Sequence, residues 1–564
     1  MKFVDWIRKS RLPRRALLLF CATATVLIFL GALRSTPQLR KLAPEAQLGR
    51  VGFIEEVAKL IDVDQNQAIQ DAKLEMALPA SWETICRRLS LSLVGNSLSL
   101  EEFRTLEQIP EAERIAWWTD YLLADTRWSN YFSERLARAF VGTHDGQFLL
   151  YRRRRFRLWL AEKLEKNVPY DQIVRSMITS EGLWTANPEV NFLTATFDEG
   201  KENRAVPVRL AGRTSRAFLG MRIDCLQCHD DFLGNVQLGS SELPRKGEQR
   251  DFHSLAAFYS GAALPATNIF GGVRNDNREY DVTLLGDSKE TRMEPNVPFL
   301  REILPETGST RERLAVWITS SDNKAFARAT VNRIWALLFS KPLVDPVDDI
   351  PIVGPYPAGL EILANDFASH GYDMKRLLRM IISTQAFQRD SRIQDENVQV
   401  TAQHETALAV FPMTPLRPEQ VAASLLQACR LQMIDDNSSI LSQLERFGTV
   451  NDFTQAYGDR GEDEFIVQSV TIPQRLLMMN GRFLRERVGE NPVANASSQI
   501  AMLTRDNHIA IDAAYLSILN RHPTTSESDA FIDVLLASKD LSRSHAVNGV
   551  YWTLLNSTEF LWNH

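Results

Sequence analysis

The chain has 564 residues, 44% hydrophobic, 24% charged and 9% aromatic, with 27 Gly and 24 Pro. These proportions exclude a collagen-like, disordered or low-complexity chain, and the length accommodates roughly two to four domains with real cores. The formal charge of -6, from 64 basic and 70 acidic residues, gives no general affinity for nucleic acid. Five cysteines are too few for a disulfide-built scaffold.

Ala16 to Leu33 carries no charged residue. As a helix it would reach roughly 27 Å, close to the hydrocarbon thickness of a bilayer. Lys2, Arg8, Lys9, Arg11, Arg14 and Arg15 precede it against Asp5 alone, and Arg34, Arg40 and Lys41 follow as a weaker basic cluster. The charge bias predicts a cytoplasmic segment 1–15, an inner-membrane anchor 16–33 and a body on the periplasmic side. A cleaved exported form is the alternative. Leu33-Arg34-Ser35 is a poor cleavage site and Cys21 lacks a small-residue lipobox, so the uncleaved anchor is the preferred reading.

Beyond a polar stretch to Gln47, most segments have helical spacing. Ser81 caps a helix with Trp82, Ile85, Leu89 and Leu93 on its apolar side. Pro110-Glu111 opens another through Ile115, Trp118 and Leu122, and Tyr131 to Val141 and Phe156 to Leu164 continue the pattern. From Gly261 to Pro305 the character changes, with Gly271-Gly272, Asn275, Asp276, Asn277, Gly286, Pro295 and Pro298 as punctuation. Ser309-Thr310-Arg311-Glu312 is a capping box, and Asp322 or Asn323 caps the next helix, which Pro342 ends. Pro418 opens a helix carrying Val421, Leu425 and Cys429, and further helices run through Leu476–Val488, Ala510–Leu519 and Val550–Leu561. No repeat period is present. The chain reads as mainly α: an N-terminal transmembrane helix and two helical domains, 50–262 and 306–564. An irregular Gly/Pro/Asn-rich segment, 263–305, joins them and holds a short β-hairpin around Tyr280 to Leu285.

Cys225-Leu226-Gln227-Cys228-His229 is the C-x-x-C-H pattern of c-type haem attachment. On a helix, residues three and four apart share a face, so both thiols reach the haem edge while His229 reaches the iron. Export agrees with that chemistry. Three other readings stand beside haem c. Zinc is one, held by Cys225, Cys228 and His229 with His253 completing a tetrahedron. The others are an oxidised dithiol and a structural turn without cofactor. His253 and Met293 are the candidates for a sixth haem ligand, Met221 being too close in sequence. Cys86 and Cys429 read as core.

The same residues carry a resemblance. Arg216 to Gly220 running into Cys225–Asp230, then Asp251-Phe252 and Ala256 to Phe258, resemble the planctomycete cytochrome-like domain of unknown function, as do Arg88 to Gly95 and Asn167 to Gln172. Leu314 to Trp317, Asp322-Asn323, Val331 to Trp335 and Val344 to Asp349 resemble its companion domain of unknown function. So do Ile472 to Leu476, Arg521 to Thr524 and Leu554 to Phe560. The resemblance spans roughly residues 50–564 and implies a haem-like motif without a defined activity. Family members usually continue the motif as Asp-His-Pro, whereas this chain has Asp230-Asp231-Phe232. The change removes a second histidine and leaves the thiols and His229 intact.

The Arg152–Arg155 run reads as the wet side of a helix rather than a polyanion site. Asp345, Asp348 and Asp349 lack calcium-loop spacing, and Asn332 and Arg333 are placed to bond them in a structural polar network. No G-x-S-x-G, P-loop, H-E-x-x-H or G-x-G-x-x-G motif occurs in a usable context. The leading expectation is a membrane-anchored exported redox protein with one c-type haem and an undetermined partner. The alternative is a non-enzymatic envelope binding or scaffolding protein. A third possibility, an enzyme assembled from distant residues, would be signalled by a polar cleft containing His229 or the Asp345–Asp349 loop.

Overall fold

The computed structural model describes residues 48–143, 151–197, 204–239, 244–265, 272–276, 278–395, 397–434, 440–458, 471–492, 494–537 and 542–564, with Thr23, Ser438 and Phe465 singly. The 16–33 anchor lies outside these residues, apart from Thr23. Among the described residues no helix is long and apolar enough to cross a membrane. The fold is mainly helical, with 59% of the described residues in helices against roughly a third in an average globular protein.

Caps written in the sequence set many helix starts. The Ser81 side chain accepts from the Thr84 amide at the head of Trp82–Val94, and Ser309 with Glu312 closes a complete capping box on Thr310–Ile318. Asn323 precedes Lys324–Phe339 without a side-chain cap; its Nδ2 donates to the Trp317 carbonyl at 3.1 Å. The expected helix Leu476–Val488 is two, Ile472–Asn480 and Arg482–Val488, parted by Gly481 in extended backbone.

Among the described residues β-structure amounts to four antiparallel two-stranded pairs and three isolated bridges. The hairpin expected near Tyr280 is one of them, pairing Asp281–Val282 with Thr291–Arg292. Another joins Thr414–Pro415 to Trp562–Asn563 and ties the end of the chain back.

The apolar cores divide elsewhere than at the 263–305 segment. One continuous cluster runs from Ile54 to Phe411 and takes in Leu264, Val273, Val297 and Phe299 from that segment. The second gathers Leu416 to Leu561 together with Leu91. Short reciprocal backbone pairing, such as Gly182 with Val273 at 2.7 and 2.8 Å, lays the irregular segment against the first core instead of leaving it as a spacer.

The helix Trp82–Val94 serves both cores and is buried from Ile85 to Val94. Leu89 and Leu93, one turn apart, face the first core, and Leu91 faces the second. Small serines let neighbours approach closely: Ser92 Oγ donates to the Leu338 carbonyl at 3.0 Å, and Trp118 Nε1 donates to Ser90 Oγ at 3.0 Å. Arg87 donates to the carbonyls of Ile518 and Phe560, both at 3.1 Å. Arg88 reaches those of Phe387, Arg389 and His564 while lying 3.5 Å over the Phe411 ring. Two buried guanidiniums thus satisfy backbone carbonyls from the 387–389 segment and from the C-terminal part of the chain.

Candidate functional site

Gly220, at φ 61°, turns the chain out of the helix Pro207–Phe218, and its carbonyl accepts from the Ile350 amide at 2.7 Å. The chain then enters the motif. The expected α-helix there is instead a 3-10 turn, Asp224–Gln227. Its three-residue repeat still brings Cys225 and Cys228 to one side. Ile223 and Leu226, at most 1% exposed, pin the turn from beneath. Both thiols are free and exposed. Burial pushes the Cys225 thiol above its usual range, with backbone hydrogen bonds opposing and Asp231 and Asp224 adding to the rise. That is the reverse of a thiolate-activating environment.

His229 is exposed, and its Nδ1 lies 2.7 Å from the Asp230 carbonyl. A carbonyl only accepts, so Nδ1 carries a proton and the ring is held with Nε2 on its far side. The Phe232 ring stacks 6.2 Å from the imidazole. Phe232 and Leu233 are 71% and 85% exposed, leaving large apolar side chains in water beside the motif.

Behind the turn the polar groups are buried and paired. His253 Nε2 donates to the Gln227 carbonyl at 3.1 Å, and its Nδ1 accepts from the Tyr280 hydroxyl at 2.9 Å. Burial pulls its pKa down, against the Gln227 carbonyl, so the ring is neutral with both nitrogens engaged. Gln249 donates to the same carbonyl at 3.0 Å, and its amide donates to Asp230 at 2.7 Å. Asp231, standing where the family has its second histidine, accepts from the Val236 and Gly234 amides at 2.7 and 3.0 Å. Those backbone bonds, the Val236 amide foremost, hold its carboxyl below the usual range.

The structure therefore groups Cys225, Cys228 and His229 on an exposed turn and places His253 beneath it as a brace. Among the described residues no three His, Cys, Asp or Glu side chains converge on a metal-sized site, and the four-ligand zinc arrangement with His253 is not formed. The donor set suits a haem's attachment atoms: two accessible thiols and an imidazole oriented through Nδ1. The expected sixth ligands do not, because His253 is occupied and Met293 is buried.

The aspartate loop is held differently from expectation. Asn332 bonds no aspartate. Its Nδ2 donates to the carbonyls of Val344 at 2.8 Å and Val347 at 3.1 Å, and its Oδ1 accepts from the Val344 amide at 2.9 Å. Arg222 supplies the ion pair instead, 2.7 Å from Asp348. Burial raises the Asp349 carboxyl, with Arg222 opposing and Asp348 adding. In the Arg152–Arg155 run, Arg153 pairs with Glu134 at 2.8 Å and Arg154 and Arg155 face solvent.

Arg213, Arg216, Arg222 and Arg333 meet in one cleft with this aspartate loop, a grouping not anticipated from the sequence. A signal existed, since Arg209, Arg213 and Arg216 recur at four- and three-residue spacing along one helix.

Fold and site define a mainly helical protein with two apolar cores and an exposed C-x-x-C-H turn. Residues 60–262 match the family PSCyt2, protein of unknown function (DUF1549), and residues 310–443 match PSD1, protein of unknown function (DUF1553). The chain carries these two family regions in that order. No curated protein and no solved structure matches it.

Proposed function

We propose that the Cys225–His229 turn is a surface attachment site for one c-type haem, in a protein anchored in the inner membrane by residues 16–33 with its body on the periplasmic side. One observation carries the reading. Buried groups fix the backbone of a turn whose three soft side chains all face solvent and contribute nothing to the core. Folding alone gives no reason for that combination. Cys225 and Cys228 would hold the haem through their sulfurs, and His229 Nε2 would face the iron with the ring oriented by the Asp230 carbonyl. Phe232 and Leu233 offer apolar cover on the open side. A bound haem supplies one-electron chemistry, and the protein would then exchange electrons with an envelope partner.

The full chain co-expressed with a haem-attachment system is the test. A haem-stained band that survives denaturing electrophoresis, a Soret absorbance, and loss of both in C225S/C228S are expected. A chain without covalent haem under those conditions overturns the reading. Stoichiometric zinc in that chain would favour the non-enzymatic binding or scaffolding alternative.

A further inference from the structure

A second open feature of the described residues stands apart in function from the proposed haem turn, though it adjoins it in sequence. A cleft of about 650 Å³ lies where the PSCyt2 and PSD1 regions meet. That volume suits a small organic ligand rather than a single ion. Its walls carry Arg138, Arg213, Arg216, Arg222, Arg333 and Lys341 against three carboxylates, Asp345, Asp348 and Glu405. A chain of net charge -6 thus concentrates positive charge in one concavity, where field lines focus and counter-ions gather.

Some of these cations are neutralised locally. Arg222 pairs with Asp348 at 2.7 Å, Lys341 pairs with Glu405, and Arg216 lies 3.5 Å from Asp224. Arg333 is different. It rises from the middle of the buried helix Lys324–Phe339 and is 9% exposed. Its Nε is buried and has no hydrogen-bond partner among the described residues. The residue lines the cleft, so a largely desolvated guanidinium with one unfilled donor faces it and favours an anion there. The cations also come from two segments, one spanning Arg213 to Arg222 and the other Arg333 to Lys341. A ligand with two separated oxyanions would bridge them, and so bridge the two family regions.

We propose that this cleft binds a small organic polyanion, carrying at least two phosphate, sulfate or carboxylate groups on a compact scaffold, with Arg333 as the buried anchor. Binding would depend on both regions at once. It is independent of haem, because none of these side chains belongs to the C-x-x-C-H turn.

Titration calorimetry on the full chain in neutral detergent tests this with three probes: glucose 1,6-bisphosphate, a disulfated disaccharide and tricarballylate, each beside its uncharged parent. At least one probe should bind at one per chain, weaken as salt is raised, and raise the unfolding temperature. The three probes separate phosphate, sulfate and carboxylate as the recognised group. Arg333→Met should weaken binding about tenfold or more, the factor expected for one charge-assisted hydrogen bond. The more exposed Arg216→Gln and Lys341→Gln should each weaken it severalfold and remain informative if the buried variant does not fold. Arg482→Gln, at an exposed residue outside the cleft lining, and C225S/C228S should leave it unchanged. Absence of binding by all three probes at millimolar concentration overturns the proposal, as does binding that Arg333→Met, Arg216→Gln and Lys341→Gln all leave unaltered.

Discussion

Asn332→Leu isolates what holds the aspartate loop. Asn332 is fully buried and makes three hydrogen bonds to the 344–347 backbone, at 2.8, 2.9 and 3.1 Å. Leucine has nearly the same volume, so the cavity contribution stays small. The loss is then chiefly hydrogen bonding, at about 1 kcal/mol per bond, with a further cost for any stranded group that water does not reach. Val344 and Val347 are only half-buried, which favours rehydration and keeps the total near 3 kcal/mol. Asn332→Asp is the informative partner variant. It retains an acceptor for the Val344 amide but loses both donors and sets a carboxylate against two carbonyls, so it should be no less harmful despite its better shape. Hydrogen exchange at residues 344–350, together with the denaturant midpoint of the first unfolding transition, reads both effects. A loss under 1 kcal/mol for leucine, or an aspartate variant close to wild type, would refute the argument.

Other predictions rest on different parts of the molecule. Arg88→Met strands three carbonyls on two segments and should cost about 3 kcal/mol in chemical denaturation. Arg88→Lys should rescue little, because a point ammonium cannot span that fork of acceptors. His253→Phe removes two buried hydrogen bonds and should destabilise by about 2 kcal/mol. It should also speed the reaction of Cys225 and Cys228 with a thiol reagent as the turn loosens; an unchanged rate would remove His253 from the brace. His522 links the helix Leu100–Glu107 to the second core through Glu107 at 3.1 Å and Asp512 at 2.5 Å. Burial opposes its charge, but the bonds and charges of Asp512 and Glu107 prevail and raise its pKa above the ordinary 6.5. Its stabilising contribution is therefore complete below about 6.5 and lost as pH rises through the higher folded value. Between pH 6 and 8 the denaturant midpoint of wild type should fall more than that of His522→Gln; parallel pH profiles would count against the link.

Local chemistry was readable wherever a few adjacent residues carry it. Ser81, the Ser309–Glu312 box and Pro418 mark helix starts because caps and a missing amide act over one turn. Cys86 and Cys429 are buried as their apolar neighbours suggested. The motif lies on a 3-10 turn and not on the α-helix its spacing suggested, since a hydrogen-bond repeat of three or four residues hangs on packing beneath the turn. His253 illustrates the same limit. A histidine 24 residues beyond the motif reads equally as ligand or brace until Tyr280 and the Gln227 carbonyl are seen to occupy its two nitrogens.

Composition and periodicity by themselves determined a helical, well-cored chain of ordinary charge, with an apolar N-terminal run and one chemically distinctive pentapeptide. Those are properties of residues within a turn or two of each other. The partition into cores came from elsewhere: Leu89 and Leu91 lie two residues apart yet enter different clusters, because opposite sides of one helix meet different partners. Likewise, an acidic chain acquires a basic cleft only when arginines more than a hundred residues apart in sequence are brought to one concavity. Net charge adds over the sequence, whereas the field at a site depends on distance, and distance is a product of folding.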